Sequence, residues 1–238
     1  MKKIIIIALT FSLTSCAQVP QILNQLPQIA SQLPNGSVDI ASGLKEALNK
    51  GITVQVSKLT AVDGFYKNEA VKILMPEELQ KVDATLRKVG LSSLADEGIK
   101  MLNRAAEDAV KEATPIFVSA VKNMSFTDAK NILLGNDSAA TSYLQGTTTT
   151  SLYSKFSPVI KSSFEKVGAD AVWKNIITKY NTIPLVKKIN PDLTDYTTNQ
   201  ALSGVFKMIA VEEKEIRNNI SARTTPLLKS VFALQDGK

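Results

Sequence analysis

Beyond residue 37, apolar residues recur at intervals of three and four. This is the period of an amphipathic helix, and the alternation a strand requires is rare. Ile40, Leu44, Leu48, Ile52, Val56 and Leu59 step along one face of a first predicted helix, with Ser37 placed as its N-cap. Pro76-Glu77-Glu78 opens a second with proline and acids in the first turn; Leu79, Val82, Leu86 and Val89 line it, and Gly90 stops it. A long third helix begins near Ser92 with Ile99, Leu102, Ala106, Ala109 and Val110 inward. Pro115 breaks or kinks it, and Thr114 is placed to cap the continuation to Val121. Ser125-Phe126-Thr127-Asp128 reads as a cap with an acid three residues on, starting a short helix that Gly135 ends. Further helices are predicted over 138–144, 150–167 with a kink at Pro158, 170–181, 196–219 and 223–234. Thr147 to Thr150 reads as a polar loop or helix lead-in, and only Val71 to Leu74 reads as extended. The expected fold is all-α, a single bundle-like domain of many helices over residues 37–238.

The N-terminus carries a different pattern. Lys2 and Lys3 precede an uninterrupted apolar run from Ile4 to Leu13, as in a secretory signal. The run is shorter than the roughly 20 residues needed to span a bilayer core. Leu13-Thr14-Ser15-Cys16 resembles the lipobox of bacterial lipoproteins, in which the cysteine thiol receives a diacylglycerol before the signal, residues 1–15, is cut away. Cys16 is the single cysteine in 238 residues and falls where such a site needs it. Residues 16–36 then form an expected flexible tether. Within it Pro20-Gln21-Ile22-Leu23-Asn24-Gln25-Leu26 is repeated as Pro27-Gln28-Ile29-Ala30-Ser31-Gln32-Leu33, and a proline every seven residues prevents one continuous helix. The tether is read as a spacer; Ile22, Leu26, Ile29 and Leu33 on one face leave an interfacial or partner-binding segment as the alternative. These features predict a lipid-anchored protein of the cell envelope, facing the periplasm, with the outer membrane as the expected location.

Composition narrows the chemistry. There is no histidine, and no cysteine after Cys16. The usual general base, the commonest metal ligand and the thiol nucleophile are therefore missing from the mature chain. No cofactor or metal is expected. Net charge is +6; loss of Lys2 and Lys3 leaves 26 basic residues against 22 acidic ones, a mild and dispersed excess of +4. That pattern fits a solvated surface and gives no nucleic-acid footprint; Lys187-Lys188 is a pair and no stripe.

Only four of the 28 basic residues are arginines: Arg87, Arg104, Arg217 and Arg223. In a chain that uses lysine by default, an arginine marks a place where a planar, bidentate donor is needed. Arg104 lies in Asn103-Arg104-Ala105-Ala106-Glu107, with Glu107 three residues on. Glu213 and Arg217 are spaced four apart, and Arg223-Thr224 sits at a helix start where amides and hydroxyls converge. Two readings follow. One is an internal ion-pair network that holds helices in register. The other is a pocket for a small anion or carboxylate, with candidate ligand-binding residues Asn103, Arg104, Glu107, Asp128, Glu213, Arg217, Arg223 and Thr224.

These motifs, together with Asp63-Gly64-Phe65, Pro76-Glu77, Ser125-Phe126-Thr127-Asp128-Ala129 and Ala139-Ala140-Thr141-Ser142-Tyr143, resemble a bacterial family catalogued as a domain of unknown function, DUF4197. The likeness runs from about Gly43 to Phe232. It implies a helical envelope domain and carries no activity, substrate or catalytic residue with it.

The leading functional expectation is a non-catalytic module that binds a small ligand or an envelope protein. Trp173, Tyr180, Phe206 and Phe232 are candidates to line a pocket or fill the core. The competing expectation is a cell-wall glycan-cleaving enzyme, because carboxylates alone break glycosidic bonds. Glu107, Glu213 or Asp128 would then be the acid.

Overall fold

The computed structural model describes residues 40–236, apart from 77–79, 89, 91 and scattered positions between 170 and 191; the side chains of 81, 82, 85, 86 and 94 are also undescribed. The signal, Cys16, the tether, Ser37, Trp173 and Tyr180 lie outside the described residues, as does much of the helix expected over 170–181. Among the described residues the chain is helical with no strand, the all-α fold that the periodicity predicts.

Helix α1 is Ile40–Thr60, α2 Gln80–Lys88, α3 Ser92–Val110, α4 Ala113–Asn123, α5 Phe126–Leu134, α6 Ala139–Glu165, α7 Leu193–Asn218 and α8 Pro226–Phe232, with a 3-10 turn at Ile220–Ala222. The long helices α6 and α7 pack along one another; α3 lies against both. α1 lies against α3, α4, α5, α7 and α8. Helix α2 is carried on α3, where Arg87 bonds Asp83 of its own helix and Asp96 of α3. No described helix is long and apolar enough to cross a membrane.

The faces predicted for α1 and α3 are buried, apart from half-buried Ile40; the face predicted from Leu79, Val82, Leu86 and Val89 lies outside the described side chains. Leu44, Leu48, Ile52, Val56 and Leu59 of α1 are core, and so are Ile99, Leu102, Ala106, Ala109 and Val110 of α3. Ser125 and Asp128 form a reciprocal capping box on α5, and Gly135 ends that helix. The chain breaks between α3 and α4 near Pro115, but Thr114 lies inside α4 and its N-cap position, Glu112, makes no side-chain cap.

One stretch differs from expectation. The helices expected over 138–144 and 150–167 are a single helix, α6, and Thr147 to Thr150 lie within it. Buried positions run every fourth residue through Leu144, Thr148, Leu152, Phe156, Ile160 and Phe164, so Thr148 occupies a core position. Its hydroxyl donates to the Leu144 carbonyl at 2.6 Å, and Thr147 and Thr149 donate in the same way to Tyr143 and Gln145. Each threonine thus satisfies its polarity inside its own helix. Pro158 is exposed, so the buried ladder passes it uninterrupted.

Between α1 and α2 the chain turns sharply. Asp63 takes a left-handed conformation (φ 69°), and Gly64 packs so tightly that a Cβ there would meet the Lys58 carbonyl oxygen. This turn drives Phe65 into the core, where Gly204 of α7 makes room for its ring. A methyl at position 204 would lie 2.7 Å from Phe65 Cε1 and 3.3 Å from Val71 Cβ. Gly204→Ala is therefore expected to destabilise the fold by about 1–3 kcal/mol through overpacking. Urea denaturation reads this directly, and an unchanged midpoint would show that the contact is not tight.

Candidate functional site

The sequence-selected polar residues fall into two buried clusters and two separate surface positions. In the first cluster Asn103 is fully buried on α3 and treats the segment before α2 as a strand partner would. Its Oδ1 accepts from the Ile73 amide and its Nδ2 donates to the Ile73 carbonyl, both at 2.8 Å, while Nδ2 also reaches the Ile99 carbonyl. One turn on, Glu107 Oε1 accepts from the amides of Phe65 and Tyr66 at 3.1 and 3.3 Å. Arg104 bridges Glu107 Oε2 and Asp63 Oδ1. Its guanidinium is held more firmly protonated by the Glu107 hydrogen bond, against the cost of burial. Asp63 in turn pairs with Lys67, which with Arg104 pulls its carboxyl below the ordinary range.

The second cluster joins helix ends. Helix α6 begins at Ala139 with Ser138 making no side-chain cap, so the first-turn amides need partners from elsewhere. Glu213 of α7 supplies them: Oε1 accepts from the Ala140 amide and Oε2 from the Thr141 amide and hydroxyl, each at 2.8 Å. Arg217, one turn along, donates through Nε and Nη2 to Glu213 Oε1 at 3.0 and 2.8 Å. Its remaining donors reach the carbonyls of Ile132 (2.7 Å) and Leu133 (3.2 Å) at the end of α5, and Gln235 Oε1 at 3.0 Å. The anion thus meets a helix N-terminus and the cation a helix C-terminus, as the peptide dipoles favour.

Arg223 repeats the device at the end of α7. Nε donates to the Ile216 carbonyl and Nη2 to the Arg217 carbonyl, while Nη1 and Nη2 grip both oxygens of Asp236. The guanidinium is 2% exposed and lies over the Phe232 ring at 5.6 Å. Phe206 is also core, edge-to-face with Phe117. Thr224 is exposed, receives the Lys50 ammonium and stands apart from these bonds. Asp128 is engaged with Ser125, whose hydrogen bonds hold its carboxyl below the ordinary value. Arg104 belongs to the first cluster, Arg217 and Arg223 to the second, so the structure does not bring the three arginines around one opening. Asp63, Gln235 and Asp236 complete the clusters and were not among the sequence candidates.

Two cavities bear on binding. One, of about 30 Å³, lies beside Glu213 and Arg217 and is lined mainly by α1 and α7; it has room for a water molecule. The other is an open groove of about 590 Å³ between α4 and α6, within the size range of small-molecule sites. Pro115 and Ile116 of α4 line it together with Glu112, Ser119, Asn123, Tyr143, Ser151 and Lys155. Tyr143 is half-buried; burial raises its phenol pKa, and its hydroxyl points to the Ala120 carbonyl at 3.4 Å. The side chains of Glu112, Ser119, Asn123, Ser151 and Lys155 make no hydrogen bond or ion pair among the described residues. The described residues also hold no group of three or more acids placed to bind a metal ion.

The Arg223 clasp has a pH signature. Hydrogen bonds from Arg223 hold the Asp236 carboxyl below its ordinary value, outweighing its partial burial. Because the folded-state value lies below that of the unfolded chain, the contribution is complete above about pH 4. It is lost as the pH falls through the folded-state value. Asp236→Asn is expected to lower stability at pH 7, with the gap to the unchanged protein closing in acid. Urea midpoints at a series of pH values measure it, and a gap independent of pH would contradict the pairing.

Among curated proteins and solved structures, none matches this chain. Residues 35–233 match the family described as protein of unknown function (DUF4197), a span that takes in α1 to α8 and both polar clusters apart from Gln235 and Asp236. The chain is a member of the DUF4197 family.

Proposed function

We propose that the chain is a non-catalytic binding module, held at an envelope membrane by lipid on Cys16 and facing the periplasm, with the α4–α6 groove as its binding face. One contrast carries this reading. Arg104, Arg217 and Arg223 direct their donors at carboxylates and backbone carbonyls within the fold, whereas five polar side chains of the groove are unspent. A ligand gains most where donors and acceptors are not already satisfied, because displacing an internal partner forfeits the bond it replaces.

The same geometry weighs against glycan cleavage by two of the three candidate acids, Glu107 and Glu213. Glu107 and Glu213 are buried, with oxygens turned to backbone amides and arginines. A glycosidic oxygen would have to reach them through the packed helices.

In-cell photo-crosslinking tests the binding face without knowledge of the ligand. A photoreactive phenylalanine analogue at Ser151 is expected to give an adduct of higher mass, and the same analogue at exposed Lys229 on α8 is not. Equal adducts at both positions, or none at Ser151, would contradict the groove. In the same cells labelled palmitate is expected on the unchanged chain and not on Cys16→Ala; an unlabelled chain would remove the anchor.

A further inference from the structure

The chemistry of the groove narrows the ligand class. Ser119 and Ser151 present hydroxyls and Asn123 a carboxamide, groups that donate and accept at once. Such groups match a ligand whose own polar atoms are also both donor and acceptor. Exposed Thr147 has given its hydroxyl proton to its own helix and offers acceptor lone pairs. Tyr143 adds a flat, half-buried ring whose hydroxyl points to the Ala120 carbonyl, and Pro115 and Ile116 lie in the same lining. An amphipathic surface of this kind packs against C–H faces while its rim exchanges hydrogen bonds.

The walls disfavour the alternatives. The charged lining residues are one acid, Glu112, and one base, Lys155, so the groove has no net field to select a polyanion or polycation, and no arginine fork to grip a phosphate or carboxylate. Both walls are helices whose backbone amides and carbonyls are paired along the helix, so an extended peptide finds no free edge to join. A docking helix would need an unbroken row of apolar anchor sites, whereas here Pro115, Ile116, Ala120 and Tyr143 alternate with polar side chains along both walls. Length matters as well: Glu112 to Asn123 spans roughly 16 Å of helix axis and Tyr143 to Lys155 roughly 18 Å. A lining spread over that length suits a chain of linked rings better than a single small molecule.

We infer that the α4–α6 groove takes an uncharged, hydroxyl-rich oligosaccharide. The inference rests on the proposed binding role and names the ligand class for the same face. Titrating the ¹⁵N-labelled full-length chain with chitotetraose, its four amino groups N-acetylated and so uncharged, tests it, with tetra-alanine and inorganic phosphate as separate probes. Chitotetraose is expected to move amide signals saturably within residues 112–123 and 143–155, and tetra-alanine and phosphate are not. The double variant Ser119→Leu/Ser151→Leu changes two exposed side chains and is expected to weaken that binding tenfold or more while leaving the remaining spectrum in place. Should tetra-alanine or phosphate move the groove signals and chitotetraose not, the ligand class is wrong and the binding face stands. Silence from all three probes overturns the oligosaccharide; with no crosslink at Ser151 in cells, the binding face falls too. Undiminished chitotetraose binding by the double variant overturns the assignment to this groove.

Discussion

Glu213 and Arg217 sit one turn apart on α7, and through them two other helix ends are joined to it. The carboxylate closes the start of α6, the guanidinium closes the end of α5, and the two bond each other. Every helix leaves four amides and four carbonyls without partners in its own ladder. At the protein surface water meets that need. Here the ends are packed inside, where each unmet group costs about 1–3 kcal/mol. Removing one partner from a buried pair of this kind costs about 3–5 kcal/mol, because the other charge is left stranded. The positions of α5, α6 and α7 therefore depend on these two side chains together. Arg223 extends the chain of bonds by closing the end of α7 and pinning the C-terminal turn through Asp236.

The same principle explains the first cluster. The segment from Asp63 to Ile73 has little regular structure, yet Phe65, Val71 and Ile73 are core. Its backbone groups need partners that helices cannot give, and Asn103 and Glu107 provide them from α3. The buried polar residues of these two clusters are backbone partners first. That leaves the arginines occupied within the fold, while five polar side chains of the α4–α6 groove have no internal partner among the described residues.

Much of the fold was legible because its signals are local. Core faces of α1 and α3 follow from spacing, and the α5 cap from Ser125 and Asp128 three residues apart. The continuity of α6 was not, because threonine reads as polar while its hydroxyl can be satisfied one turn back, as in Thr148. A four-residue ladder running from Leu144 through Thr148 to Leu152 was the available clue. The rarity of arginine marked residues that grip something, but not what they grip. Backbone carbonyls such as those of Ile132 and Ile216 leave no trace in a sequence, since every residue has one. The groove was hidden for a related reason: Ser119, Asn123, Ser151 and Lys155 are ordinary surface types, and only the pairing of α4 with α6 puts them in one place.

The amides of Ala140 and Thr141 report most directly on the central tie. They are among the first-turn amides of α6, which ordinarily exchange with solvent quickly. Hydrogen exchange on the ¹⁵N-labelled chain should find both protected to the degree of amides in the middle of α6. In Glu213→Gln that protection should fall while mid-helix amides keep theirs. Fast exchange of Ala140 and Thr141 in the unchanged protein would contradict the cap, and with it the reading of the buried charges as the ties between helix ends.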